Sequence, residues 1–302
     1  MRIVCAIVLV IGLAVPARAQ DERGWTLFGG FNGSSNSDGT VMKVDPALDY
    51  RFNRHFDAYA GLPVYFVNLS STVAATNTTT SGSGFVSGLG NAFLGFRGTV
   101  NTDKLNYNST LEVTAPTGDK NRGFSTGRVT ADWTNRFSHS FNSFTPFGSL
   151  GLANTISDTS FFIRPFTSLG LVSHFEGGAM YDVSQYVRVG GSAYVIRAAG
   201  DQTIISKVVK RQATTTVLRS PGPSVSSGPG QGSVKAGNGK ENRVFDTTTQ
   251  TVVPATIAND NGVSTWLTVT PRPELDFHVG YSRSVHYDFN TVSFGVGFRI
   301  SN

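Results

Sequence analysis

Apolar and polar residues alternate with a period of two along most of this chain. In 290–301 the even positions hold Val292, Phe294, Val296, Phe298 and Ile300, and the odd positions hold Thr291, Ser293, Gly295, Gly297 and Arg299. A period of two sends neighbouring side chains to opposite faces of a strand. The run is also about ten residues long, the length of a tilted strand that crosses a bilayer. The preceding segment repeats the pattern, with Leu275, Phe277, Val279 and Tyr281 set against Asp276, His278, Gly280 and Ser282. Near the N-terminus Val44, Pro46, Leu48, Tyr50 and Phe52 alternate with Lys43, Asp45, Ala47, Asp49 and Arg51. The stretches 105–115 and 128–137 behave in the same way. The pattern predicts twelve strands, roughly 25–33, 41–52, 56–69, 86–100, 104–115, 126–137, 144–156, 163–181, 186–200, 263–271, 274–285 and 290–301. No stretch carries a helical period.

The connections between these strands fall into two sets. Asn53–His55, Asn101–Asp103, Ser138–Ser143, Asp182–Gln185 and Arg272–Pro273 are short, whereas 70–85, 116–125 and 201–262 are long. Bacterial outer-membrane barrels have short periplasmic turns, long outer loops and an even strand number. A soluble sandwich has no reason to sort its connections by length. Aromatic residues gather beside the short turns: Phe52, Phe56, Phe137, Phe141, Phe144, Tyr181 and Tyr186. Such a belt is expected at a membrane interface. The fold expected is therefore all-β, an antiparallel transmembrane barrel of about twelve strands, with ten or fourteen as the alternatives.

Residues 1–19 read as a signal peptide, with Arg2, the apolar run Ile3–Val15 and the small-x-small site Ala17-Arg18-Ala19. The remaining 20–302 form a single barrel domain with a long, flexible outer loop at 201–262, exported to the outer membrane of a Gram-negative cell. Within that loop, 204–209 and 252–257 are expected to extend the flanking strands; the alternative is a constriction folded into the pore. Cys5 is the one cysteine and leaves with the leader, so the mature chain has no disulfide and no thiolate chemistry.

Composition agrees with this picture. Charged residues make up 15% of the chain, against about 25% in average soluble proteins. Mean hydropathy is nonetheless −0.08, near neutral. Without Arg2 and Arg18 the formal charge is +3, which is no nucleic-acid signature.

The chemistry lies on the polar face. Parity turns Lys43, Asp45, Asp49, Arg51, Asp57, Arg97, Glu112, Arg128, Asp132, Arg136, His174, Glu176, Arg188, Asp276, His278 and Arg299 inward. Charges facing lipid at mid-depth cost about 2–4 kcal/mol each, chiefly for Arg and Lys, a cost that a wet interior largely removes. Asp49, Arg51, Arg97, Glu112, Arg128, Asp132, Arg136, His174, Glu176, Arg188, Asp276, His278 and Arg299 are the expected pore-lining residues. Both signs occur among them, which argues against strong ion selectivity. The alternative is that opposite charges on neighbouring strands only stiffen a closed interior.

His174 with Glu176, and His278 with Asp276, share faces at a spacing that suits a metal, but mutual neutralisation in the lumen is the preferred reading. No histidine has a serine two residues on, the arrangement of the outer-membrane barrel phospholipases, and there is no Gly-x-Ser-x-Gly. No enzyme, metal or cofactor is expected.

The run Gly88-Leu89-Gly90-Asn91-Ala92-Phe93-Leu94-Gly95-Phe96-Arg97 resembles a glycine-rich strand of the phenol meta-pathway family of outer-membrane proteins. Ala115-Pro116-Thr117-Gly118-Asp119 with Gly127, and Gly61-Leu62-Pro63-Val64-Tyr65, also resemble that family. The resemblance implies an outer-membrane barrel, often labelled a transporter. It brings no catalytic residues. Asn91 stands where the family usually has Asp, which removes a lumenal charge, and 201–262 is unusually long.

The function expected is a channel or transporter for passive passage of small organic solutes, aromatic ones included. The alternatives are a structural or surface-interaction barrel with a closed interior, and a secreted soluble β-protein. Expected partners are outer-membrane lipid and lipopolysaccharide, the solute and the barrel-assembly machinery. No nucleic acid is expected, and the oligomeric state is left open.

Overall fold

The computed structural model describes residues 23–37, 39–69, 85–120, 123–155, 167–208 and 245–301. The expected signal peptide at 1–19, most of the expected 70–85 loop and 209–244 of the expected 201–262 loop lie outside the described residues.

The strands in chain order are β1 (Gly24–Asn36), β2 (Gly39–Asn53), β3 (Phe56–Gly61), β4 (Val64–Leu69), β5 (Phe85–Leu89), β6 (Ala92–Asn101), β7 (Asn106–Ala115) and β8 (Thr130–Ser138). They continue with β9 (Phe144–Thr155), β10 (Thr167–Asp182), β11 (Val187–Ala198), β12 (Gln202–Val208), β13 (Phe245–Val253), β14 (Asp260–Arg272), β15 (Leu275–Ser284) and β16 (Phe289–Ser301). All pairings are antiparallel between neighbours. The first strand pairs with the last, from Thr26↔Ser301 to Ser35↔Val292, and with β2, from Gly24↔Arg51 to Asn36↔Gly39. The sheet therefore closes on itself, while at the long-loop end β5 and β13 each pair on one side only among the described residues. This is a closed twelve-stranded antiparallel barrel.

Two wall strands are each broken in two. Leu62-Pro63 separates β3 from β4, and Gly90-Asn91 separates β5 from β6. Proline has no N–H to give to the ladder. The gap is bridged by Gly90 N–H, which donates to Pro63 O at 2.8 Å. Counted across the wall, β3/β4 and β5/β6 are the single strands expected at 56–69 and 86–100. The break shifts parity by one, because Gly88 pairs with inward-facing Tyr65 while Phe93 pairs with Gly61.

The extra pair β12–β13 continues the β11/β14 hairpin at the long-loop end. β10 pairs with β11 as far as Val172↔Ala198 and then with β12 from Leu169↔Thr203. Gly200 takes the left-handed conformation (φ 68°) in the step between them. The expected extension by 204–209 and 252–257 is thus present as Gln202–Val208 paired with Phe245–Val253. Residues 255–257 of that expected extension lie instead in a 3-10 turn, Ala255–Ala258.

The exterior carries the apolar parity set. Leu94, Phe96, Leu111, Val113, Trp133, Leu150, Leu152, Phe175, Leu267 and Val279 are all exposed. So large a contiguous apolar surface has no place in water and fits a lipid solvent, in which closure satisfies the backbone polar groups. The aromatics beside the short turns are exposed as a band: Phe52, Phe56, Phe137, Phe141, Phe144, Tyr181 and Tyr186. Trp25 joins them, its ring 4.6 Å from that of Tyr50. No helix of the described residues is long and apolar enough to cross a membrane.

Candidate pore lumen

An interior cavity of about 730 Å³ lies against the inner faces of β1–β3, β6–β9, β15 and β16. Seven of the expected lining residues border it: Asp49, Arg97, Glu112, Asp132, Asp276, His278 and Arg299. Lys43, Asp45, Phe28, Tyr59, Phe93 and Pro63 border it too. The polar groups form short ladders along one strand and across one or two others. Lys43 Nζ lies 2.7 Å from Asp45, and Arg97 lies 3.6 Å from Asp57. Tyr59 O–H donates to Glu112 Oε2 at 2.8 Å, with the Arg97 guanidinium 5.1 Å from the Tyr59 ring centre. Arg299 sits 5.1 Å from the ring centre of Phe28. His174 Nε2 is 3.3 Å from Asp132 Oδ1, which also accepts the Thr134 hydroxyl at 2.6 Å.

The opposite side of the interior is filled. Arg136 lies 4.0 Å from the ring centre of Phe147, which is itself 6.1 Å from that of Trp266. Glu176 faces the same side, in register with Ser149 and Tyr194. Arg188 pairs with Asp182 at 2.6 Å, exposed at the short-turn end, and Arg51 is exposed near the end of β2. One expected lining position is corrected. Arg128 was expected in mid-strand, but β8 begins only at Thr130, and Arg128 is exposed in the preceding loop.

That late start has a physical cause. Residues 123–126 turn into the barrel, and Phe124, Ser125 and Thr126 are fully buried. Phe124 stacks on Tyr65 at 6.2 Å and packs with Val41, Val67 and Val86. Its ring also covers Gly88, where a Cβ would overlap it. These inward positions of β2, β4 and β5 are apolar because the loop is their solvent. The loop's base is tied to the wall break. Thr117 Oγ1 donates to Gly90 O at 3.1 Å and accepts from Ala92 N–H at 2.8 Å. Asn91 Oδ1 accepts Gly118 N–H at 3.2 Å. Asn91 is wholly buried here, so the residue expected to change a lumenal charge anchors a loop instead. The in-turned segment among the described residues is thus 123–126. The described parts of 201–262 run along the wall.

The sequence reading missed the inward aromatics Phe28, Tyr59, Phe93, Phe147 and Trp266. The signal for them lies in facing glycines. Tyr59 lies over Gly95, His174 over Gly151, Trp266 over Gly190 and His278 over Gly295, each where a Cβ would overlap the ring. The proposed metal spacings are not used as pairs: His174 turns to Asp132, and no group of three potential ligands occurs among the described residues.

Comparison of the sequence with family models and with curated proteins finds no match. The structure is similar to the COG4313 outer membrane channel from Pseudomonas putida F1, with a TM-score of 0.53 at 12% identity over 94% of this chain and 100% of that one. The chain shares the β-barrel fold of that protein. Looser likenesses are the NanC porin (TM-score 0.46, 9% identity, 89% of this chain and 98% of that one) and the CymD monoaromatic hydrocarbon channel (0.43, 10%, 94% and 90%). Within this barrel the polar ladders line one side, the aromatic stack lies on the other, and Phe124 packs on the inner wall of β2, β4 and β5.

Proposed function

We propose that this protein is a bacterial outer-membrane channel for passive passage of small organic solutes, acting without covalent chemistry. The observation that carries the reading is the pairing of a lipid-compatible exterior with a charged, water-sized interior. A wall that only needed to be stiff would fill its interior with packed side chains. This one leaves about 730 Å³ bordered by Asp49, Arg97, Glu112, Asp132, Asp276 and Arg299. Their role is to hydrate, steer and weakly bind a solute in transit. Tyr59, Phe28 and Phe93 add ring faces, which supports small aromatic compounds as part of the solute range. The motif resemblance to the phenol meta-pathway family supports the same class, and the leader-like 1–19 supports export.

The in-turned loop and the Arg136–Phe147–Trp266 stack favour a second reading, a barrel closed inside that serves as a surface structure. Liposome swelling separates the two. Proteoliposomes are expected to admit small sugars and small aromatic solutes faster than protein-free liposomes. Equal rates for every solute would support the closed barrel.

A further inference from the structure

The charges on the cavity wall are unevenly divided. Asp45, Asp49, Glu112, Asp132 and Asp276 border it, against Lys43, Arg97 and Arg299. The cations are also the more engaged partners. Lys43 is held by Asp45 at 2.7 Å, and Arg97 by Asp57 at 3.6 Å and by the Tyr59 ring. Arg299 rests on the Phe28 ring. By contrast, Asp49, Glu112 and Asp276 make no salt bridge among the described residues, although the buried Asp49 carboxyl lies against that of Asp57. Glu112 accepts only a neutral phenol hydroxyl in the contacts above. The balancing cations of the polar face lie elsewhere: Arg136 in the filled side, Arg188 at the short-turn end and Arg128 outside the barrel wall. Counted over the whole polar face the two signs look mixed, but the solute meets only the cavity.

Resting on the channel reading, we infer that this lumen passes cations in preference to anions, with Asp49, Glu112 and Asp276 setting the preference. A cleft lined by one sign of charge and walled by low-dielectric material focuses its field and concentrates counter-ions. Carboxylate-lined constrictions favour cations for the same reason. Salt screens the effect, because the Debye length falls from about 10 Å at 0.1 M to about 3 Å at 1 M.

The test is the reversal potential of the purified protein in a planar bilayer across a KCl gradient. The expected result lies on the potassium side, with a several-fold permeability preference for K⁺ over Cl⁻ that shrinks as both solutions are raised to high salt. The Asp49→Asn/Asp276→Asn double variant is expected to lose most of the preference, its reversal potential moving toward zero. A matched pair of organic ions, benzylammonium and benzoate, is expected to follow the same order. A reversal potential at zero or on the chloride side, or faster passage of benzoate, overturns the inference while leaving the channel in place. Absence of conductance overturns the channel reading and this inference with it.

Discussion

Each wall residue has a neighbour one strand away that decides how much room it has. Trp266 lies flat on Gly190, and the two glycine-covered strands β10 and β11 let Phe147 and Trp266 approach across the interior. Ala at Gly190 would put a methyl where the indole sits. Gly190→Ala is expected to destabilise the barrel by about 1–3 kcal/mol in urea unfolding, as overpacking does elsewhere. It should also alter the fluorescence of Trp266, which is the inward-facing member of the three tryptophans. Unchanged stability and emission would contradict the packing described. Parity makes a second demand on single residues. Leu111 is exposed at the middle of β7, and Thr110 beside it faces inward with its hydroxyl on Asn108. Leu111→Arg is expected to cost about 2–4 kcal/mol in bilayer-coupled folding, and Thr110→Arg much less. Equal costs would mean that the two faces are not lipid and lumen. At this scale the sequence made the charged inward residues legible, because alternation alone places them. It did not reveal inward aromatics such as Tyr59 and Trp266. An aromatic at an inward position looks like any other until the glycine opposite it is known, and that needs the register.

Elements were largely legible where the strand itself runs unbroken. The termini of β2, β7, β9 and β16 fall within three residues of the periodicity. What was not legible is where tertiary packing breaks a strand. The stretch 126–129 alternates well enough to continue β8, but burial of Phe124–Thr126 draws the chain off the wall and leaves Arg128 in the loop. The glycine-rich and Pro-Thr-Gly-Asp motifs looked like strand and turn signatures. The structure joins them at one place, the Gly90-Asn91 break on which the loop is seated. This gives a prediction at the element scale. A Cβ at Gly118 would overlap the Phe124 carbonyl and crowd the Leu89–Gly90 backbone. Gly118→Ala is therefore expected to unseat the loop, as is Phe124→Ala, which removes a buried ring of a kind that contributes about 3–5 kcal/mol in protein cores. Both variants are expected to expose 116–129 to added protease and to raise channel conductance. Resistance to protease equal to the parent protein would show that the loop is held by something else.

The whole molecule is a wall that closes on itself through β1–β16, with its long connections gathered at one end and an aromatic band at the other. Closure does not depend on 209–244, since β12 and β13 continue strands that are already paired within the wall. Deleting 209–244 with a short linker is expected to leave heat-modifiable gel migration intact and conductance at or above that of the full chain. Loss of the folded band would show that this segment is needed for assembly. Solute identity was not legible at any scale. Parity reveals which side of a strand is wet, but the charge that a solute meets depends on which inward residues border open space. Asp49 and Asp276 border it, while Arg136 is covered by Phe147.

The most direct test of the account is single-channel recording of the refolded 20–302 chain in a planar lipid bilayer. The account predicts discrete, reproducible conductance steps that grow when Phe124 is replaced by alanine. A folded, heat-modifiable barrel that inserts and gives no steps, with or without that substitution, would contradict it.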